Sequence, residues 1–89
     1  MPQRELTLTN KRGLHARAAT KLVQCCQRFD ASVTVSHKGR AADAANIMSL
    51  LMLAAPCGSR LDIVAEGRQA GQALDALQAL FDARFDEDA

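Results

Sequence analysis

The 89-residue sequence predicts an α+β fold: an open-faced two-layer β-sandwich in which a four-stranded antiparallel sheet carries three helices on one face. Three observations lead there. Segments that alternate apolar and polar residues interchange with segments spaced by three and four, in the order β-α-β-β-α-β-α. The strand segments keep polar side chains at every second position, as a sheet wetted on one face requires. A chain this short builds one domain, residues 1–89, around a single core that removes roughly 60–65% of the unfolded surface from water.

The segment RELTLT sets Leu6 and Leu8 against Glu5, Thr7 and Thr9, a half-buried strand over 4–9. After the turn at Gly13, Ala19, Leu22, Val23 and Cys26 form one stripe of a helix over 16–28, with Arg17, Lys21, Gln24 and Gln27 on its polar face. SVTVS alternates through Val33 and Val35, turns at His37-Lys38-Gly39, and returns over 40–43 as a hairpin. IMSLLML, 47–53, is apolar at six of seven positions and reads as a short helix, closed by APCGS. RLDIVAEG alternates again through Leu61, Ile63 and Ala65. A last helix over 69–83 turns Ala73, Leu74, Leu77, Leu80 and Phe81 inward, and RFDEDA trails off as an acidic end.

Composition narrows the function. At 48% hydrophobic and 24% charged, with Phe the only aromatic, the chain reads as a soluble globular domain with an aliphatic core. Its N-terminus lacks the apolar stretch of a signal peptide, and the longest apolar run, LLMLAAPC, is too short to span a bilayer. Three cysteines, Cys25, Cys26 and Cys57, match neither a disulfide framework nor a zinc site, so no metal or cofactor is expected and a reducing cytoplasm is the expected home. Residues 1–29 carry six basic and one acidic side chain, while residues 61–89 carry two basic and seven acidic. The basic end attracts anions, but basic residues interleaved with aromatics are absent, and nucleic acid is not the expected partner.

The informative stretch is NKRGLHARAATKL, 10–22, which puts His15 where the helix starts. Ser, Thr, Asp or Asn would cap better. The first N–H groups of a helix lack partners within it and lie at the positive end of its dipole, a ready anion site. A neutral imidazole beside that site can act as a nucleophile. A phosphoryl group on its Nδ1 would fold back over the amides of Ala16, Arg17 and Ala18, and the Arg17 guanidinium would grip the oxygens. Fixed donors of this kind stabilise transferring charge without solvent reorganisation. On spacing alone, a surface turn residue followed by a solvated arginine remains an open reading.

Context extends the motif. From LTLTNKRGLHARAATKL through AANIMSLLMLAAPCGSRLDIVAEG to the closing helix, the sequence resembles the HPr family, the histidine phosphocarriers of the bacterial phosphotransferase system. TNKRGLHAR, SLLMLAA and ALFDARFDED are most similar to its nitrogen-branch subgroup, NPr. The resemblance implies a stoichiometric carrier, not an enzyme: His15 accepts a phosphoryl group on Nδ1 from an enzyme I type protein charged by phosphoenolpyruvate and passes it to an enzyme IIA type histidine. Arg17 matches the arginine that stabilises the phosphohistidine. The family pattern H-x-R-P-A departs here at Ala18, which loosens the helix start while adding one donor, so altered kinetics are expected and not lost function. Asn46 occupies the position of a regulatory serine found in many Gram-positive members. It caps a helix well but cannot be phosphorylated as serine is.

A two-turn helix on one sheet face buries about half its circumference, so IMSLLML exposes part of itself. With Leu50 and Leu53 inward, Ile47, Met48 and Leu51 form the expected docking patch, a use to which methionine is suited. The resemblance places such a helix beside the active histidine, facing both enzymes. The alternative is a module that binds partners through Ile47, Met48 and Leu51 with no chemistry at His15. A monomer is expected. His37 reads as a solvated hairpin residue, and the acidic end as solvated or as a guide to partner choice.

Overall fold

The computed structural model describes residues 2–87. Its elements are β1 (Gln3–Thr7), α1 (Ala16–Gln27), β2 (Ser32–His37), β3 (Arg40–Asp43), α2 (Ile47–Met52), β4 (Arg60–Glu66) and α3 (Ala70–Asp82), followed by a short turn at Arg84–Asp86. The strands lie in the order β1-β4-β2-β3, and every neighbouring pair is antiparallel. Leu6 stands opposite Leu61, and Val35 opposite both Ile63 and Ala42, so one face of the sheet is a continuous apolar row. The alternate positions, including Glu5, Thr34 and Asp62, face water. This is the expected four-stranded open sandwich, with its three helices packed over the apolar row.

The helices bury what their spacing predicts, α1 through Ala18, Ala19, Leu22, Val23, Cys25 and Cys26, and α3 through Ala70, Ala73, Leu74, Leu77 and Phe81. Leu80 sits at the margin, half-buried against the core. In α2, Leu50 and the following Leu53 point inward. The Asn46 side chain caps this helix, its Oδ1 accepting from the Ser49 amide at 3.1 Å.

Three details depart from expectation. First, β1 ends at Thr7 and not at 9, although Leu8 continues the exchange, donating to Ser59 O at 2.9 Å and accepting from the Gly58 amide at 2.7 Å. Second, the hairpin turns on Lys38 and Gly39 alone, with φ of 49° and 82°, the left-handed pair that a two-residue connection needs. His37 therefore completes β2 on the same face as Val33 and Val35, buried, with Nδ1 3.4 Å from the Leu53 carbonyl oxygen. It is not a solvated loop residue. Third, the acidic end does not simply trail away as far as Glu87; Asp88 and Ala89 lie outside the described residues. Arg84, Phe85 and Asp86 are successive left-handed residues, a conformation that costs L-residues roughly 1–2 kcal/mol each. Phe85 is fully buried, its ring 4.9 Å from that of Phe81 and tilted by 57°, which helps to offset that strain.

Candidate functional site

The site begins with a turn that only glycine can make. At Gly13 φ is +66°, and a Cβ there would lie 2.5 Å from Ala55 O and 2.9 Å from the Pro56 backbone. The close approach is pinned on both sides: Gly13 N donates to Asn10 O at 3.1 Å, and Leu14 N to Ala55 O at 2.9 Å. Asn10, wholly buried, adds a bond from Nδ2 to Gly13 O at 2.7 Å. The exit of α2 thus holds the loop that delivers His15.

His15 is the N-cap of α1, with extended backbone and its carbonyl accepting the first helical bond from Ala19 N at 2.8 Å. Its side chain folds over the helix start, and Nδ1 accepts from the Arg17 amide at 3.3 Å. A ring nitrogen that accepts carries no proton, so the proton of the neutral ring lies on Nε2. There it meets the Glu87 carboxylate. The ring keeps 16% of its surface exposed and the Glu87 side chain 12%. The other Glu87 oxygen accepts from Asn10 Nδ2 at 3.3 Å. Burial pushes the Glu87 carboxyl toward its neutral form, but the hydrogen bonds of His15 and Asn10 outweigh it. Together with the positive charge of Arg12, and that of the ring whenever it is protonated, they hold its pKa below the usual value.

Arg17 is exposed beside this ring, on a groove whose basic wall is Lys11, Arg12, Arg17 and Lys21, and whose other wall is Phe85, Asp86 and Glu87. Lys21 Nζ bonds Asp86 at 3.0 Å. Of the three amides expected to cradle a phosphoryl group, that of Arg17 contacts Nδ1, while the side chain of Ala18 is core. The arrangement is a nucleophilic nitrogen held at a helix start, with positive charge alongside and an acidic group at its far side.

Residues 2–83, which include this histidine turn, match the family model of the PTS HPr component phosphorylation site. The chain belongs to the HPr family of phosphocarriers. It is 46% identical over 85 residues to the phosphocarrier protein NPr of Shewanella violacea, covering 96% of this chain and 93% of that one. It is likewise 46% identical over 88 residues to the phosphocarrier protein HPr of Xylella fastidiosa, covering 99% of each. Among solved structures, HPr-C-His from Thermoanaerobacter tengcongensis superposes with a TM-score of 0.95 at 30% identity, covering 100% of both chains. The function is therefore that of a phosphocarrier in a phosphotransferase relay.

On this HPr fold, the apolar helix is only partly as expected. Ile47 and Met48 are exposed, at 36% and 67%, but Leu51 is half-buried against the core, and Met52, 67% exposed, takes the outer position. Residues four apart share a helix face, so Met48 pairs with Met52 on the outer side, while Ile47 pairs with half-buried Leu51 at the margin of the core. Sequence reasoning also missed Asn10 and Glu87. Asn10 stands among turn residues and carries no signal of burial. The one signal near Glu87 was Phe85, a lone aromatic among charges, which marks an anchored segment and not a frayed one.

Among the described residues, no helix is long and apolar enough to cross a membrane, and no group of His, Cys, Asp and Glu side chains is arranged to hold a metal ion.

Proposed function

We propose that this HPr-family carrier accepts a phosphoryl group on Nδ1 of His15 from a phosphorylated enzyme I type protein and hands it to a histidine of an enzyme IIA type protein, within the nitrogen-related branch. One observation carries the assignment of the atom: Nδ1 is the ring nitrogen that accepts the Arg17 amide, so it bears no proton of its own and its lone pair points at the helix start. In the transfer, the Arg17 amide releases Nδ1, whose lone pair forms the new P–N bond as the bond between phosphorus and the donor group breaks, and the donor leaves with the electron pair. His15 keeps its Nε2 proton and becomes a phosphorylated imidazolium. Onward transfer reverses the step, and no proton has to move. The amides of Ala16, Arg17 and Ala18 and the Arg17 guanidinium receive the phosphoryl oxygens, an electrostatic role in which positioning supplies most of the catalysis. Ile47 and Met48, with Leu51 at their margin, offer the apolar docking surface. The NPr relative supports the nitrogen branch.

Incubation with phosphoenolpyruvate and the donor enzyme should place one acid-labile, base-stable phosphate on the wild type and none on His15→Ala. A wild type that binds the donor yet never labels would instead identify an adaptor that works through the α2 surface. Competition between sugar-branch and nitrogen-branch donors tests the branch.

A further inference from the structure

We infer that the Glu87 side chain is a positioning residue of the phosphoryl-accepting histidine: it holds the proton on Nε2, keeps Nδ1 unprotonated, and faces the positive charge that the ring acquires on phosphorylation. The inference rests on the proposal that His15 is the acceptor. Its geometry is that of a nucleophile and its orienting acid group, here bound to opposite nitrogens of one ring: Arg17 N–H on Nδ1, the Glu87 carboxylate on Nε2. Which nitrogen carries the proton is set by the bond the other makes, and a carboxylate on Nε2 favours the tautomer that leaves Nδ1 nucleophilic.

The carboxylate is itself held in place. Asn10 Nδ2 bonds Glu87 and also Gly13 O, so one buried amide ties the acid to the turn that delivers the histidine. Phe85, buried against Phe81, and the Lys21–Asp86 pair anchor the left-handed turn from within. Strained backbone of this kind persists where surrounding contacts over-determine it, and it clusters at functional sites. Glu87 remains ionised near neutrality, its pKa lying below the usual carboxylate value.

During transfer the balance is simple. The Nδ1 lone pair enters the P–N bond, the Nε2 proton stays on the ring, and the resulting imidazolium lies against a fixed negative charge instead of solvent. The same contact leaves the Nδ1 side, where the donor must approach, uncovered by the carboxylate. A strap that merely shielded the histidine would be expected to lie over Nδ1.

The test uses the full 89-residue chain as wild type, Glu87→Gln and Glu87→Ala. Long-range nitrogen–proton NMR of the unphosphorylated ring reports the tautomer without any phosphotransfer. The wild type should show the proton on Nε2; Glu87→Gln, which keeps an acceptor but loses the charge, should retain it; Glu87→Ala should give a mixture. Phosphoryl uptake should fall on the order of 10-fold in Glu87→Ala, as when an outer-shell partner of a reactive histidine is removed, and less in Glu87→Gln. Unchanged ring spectra in Glu87→Ala, or faster uptake by it, would overturn the inference, the second outcome marking the segment as a shield. A wild type that takes no phosphate would remove the proposed function, while the ring spectra would still decide whether Glu87 sets the tautomer.

Discussion

Gly13→Ala separates two effects that meet at the histidine turn. An L-residue in the left-handed region loses roughly 1–2 kcal/mol, of which about 0.4–1 kcal/mol is recovered because alanine restricts the unfolded chain more than glycine does. That leaves about 1 kcal/mol. At Gly13 the new Cβ also meets Ala55 O at 2.5 Å and Pro56 backbone at 2.9 Å, atoms that cannot rotate aside, so the turn or the α2 exit must shift. Overpacking of that sort adds about 1–3 kcal/mol. Gly39 supplies the internal control, with φ of +82° and nothing within 4 Å of its added Cβ. In a domain of this size 1 kcal/mol moves Tm by about 4–8 °C. Thermal unfolding by circular dichroism should therefore show Gly39→Ala lower by about 4–8 °C and Gly13→Ala by at least about 10 °C. Phosphoryl uptake should fall only in Gly13→Ala, because only that turn presents His15. Equal Tm losses in the two variants would refute the claim that the α2 exit holds the loop by close approach.

Three further outcomes are expected. Met48→Asp, at an exposed position, should change stability by no more than about 0.5 kcal/mol yet weaken phosphoryl uptake from the donor; a collapse of the fold would show the side chain to be core. Native protein treated with iodoacetamide at mildly alkaline pH should gain one adduct, on exposed Cys57. Cys25 and Cys26 are buried, and burial first, then the neighbouring Cys25 and Asp43, pushes the Cys26 thiol up to about 12; modification of Cys26 in the folded state would contradict this. Because the folded state holds the Glu87 pKa down, its ionised form stabilises the protein above the unfolded value of about 4.3, and that contribution disappears as pH falls through the lower folded value. The Tm advantage of wild type over Glu87→Gln should accordingly be present above about pH 5 and shrink as the pH falls below about 4.3; an advantage that persists undiminished in strong acid would exclude the carboxylate charge as its source.

What the sequence determined by itself is what repeats at short range. Alternation at Leu61, Ile63 and Ala65, and the stripe of Ala19, Leu22, Val23 and Cys26, each fix a buried face from within a single element, so the order of elements and the open two-layer sheet were legible before any coordinates. The histidine at the head of α1 was legible for the same reason, since a helix start exposes its amides whatever lies beyond. His37 was misread only because the turn is two residues long; its i, i+2 spacing from Val33 and Val35 already placed it on the buried face. The tertiary structure alone decided which neighbours close the site. Glu87 lies 72 residues from His15 and comes to the ring only through the anchoring of Phe85, the left-handed turn beyond α3 and the buried Asn10. Likewise, the exposure of Met52 and the half-burial of Leu51 depend on how α2 is rolled against α1 and the sheet. An all-apolar helix carries no internal mark of its outer side, and contacts made across the whole chain have no period to read.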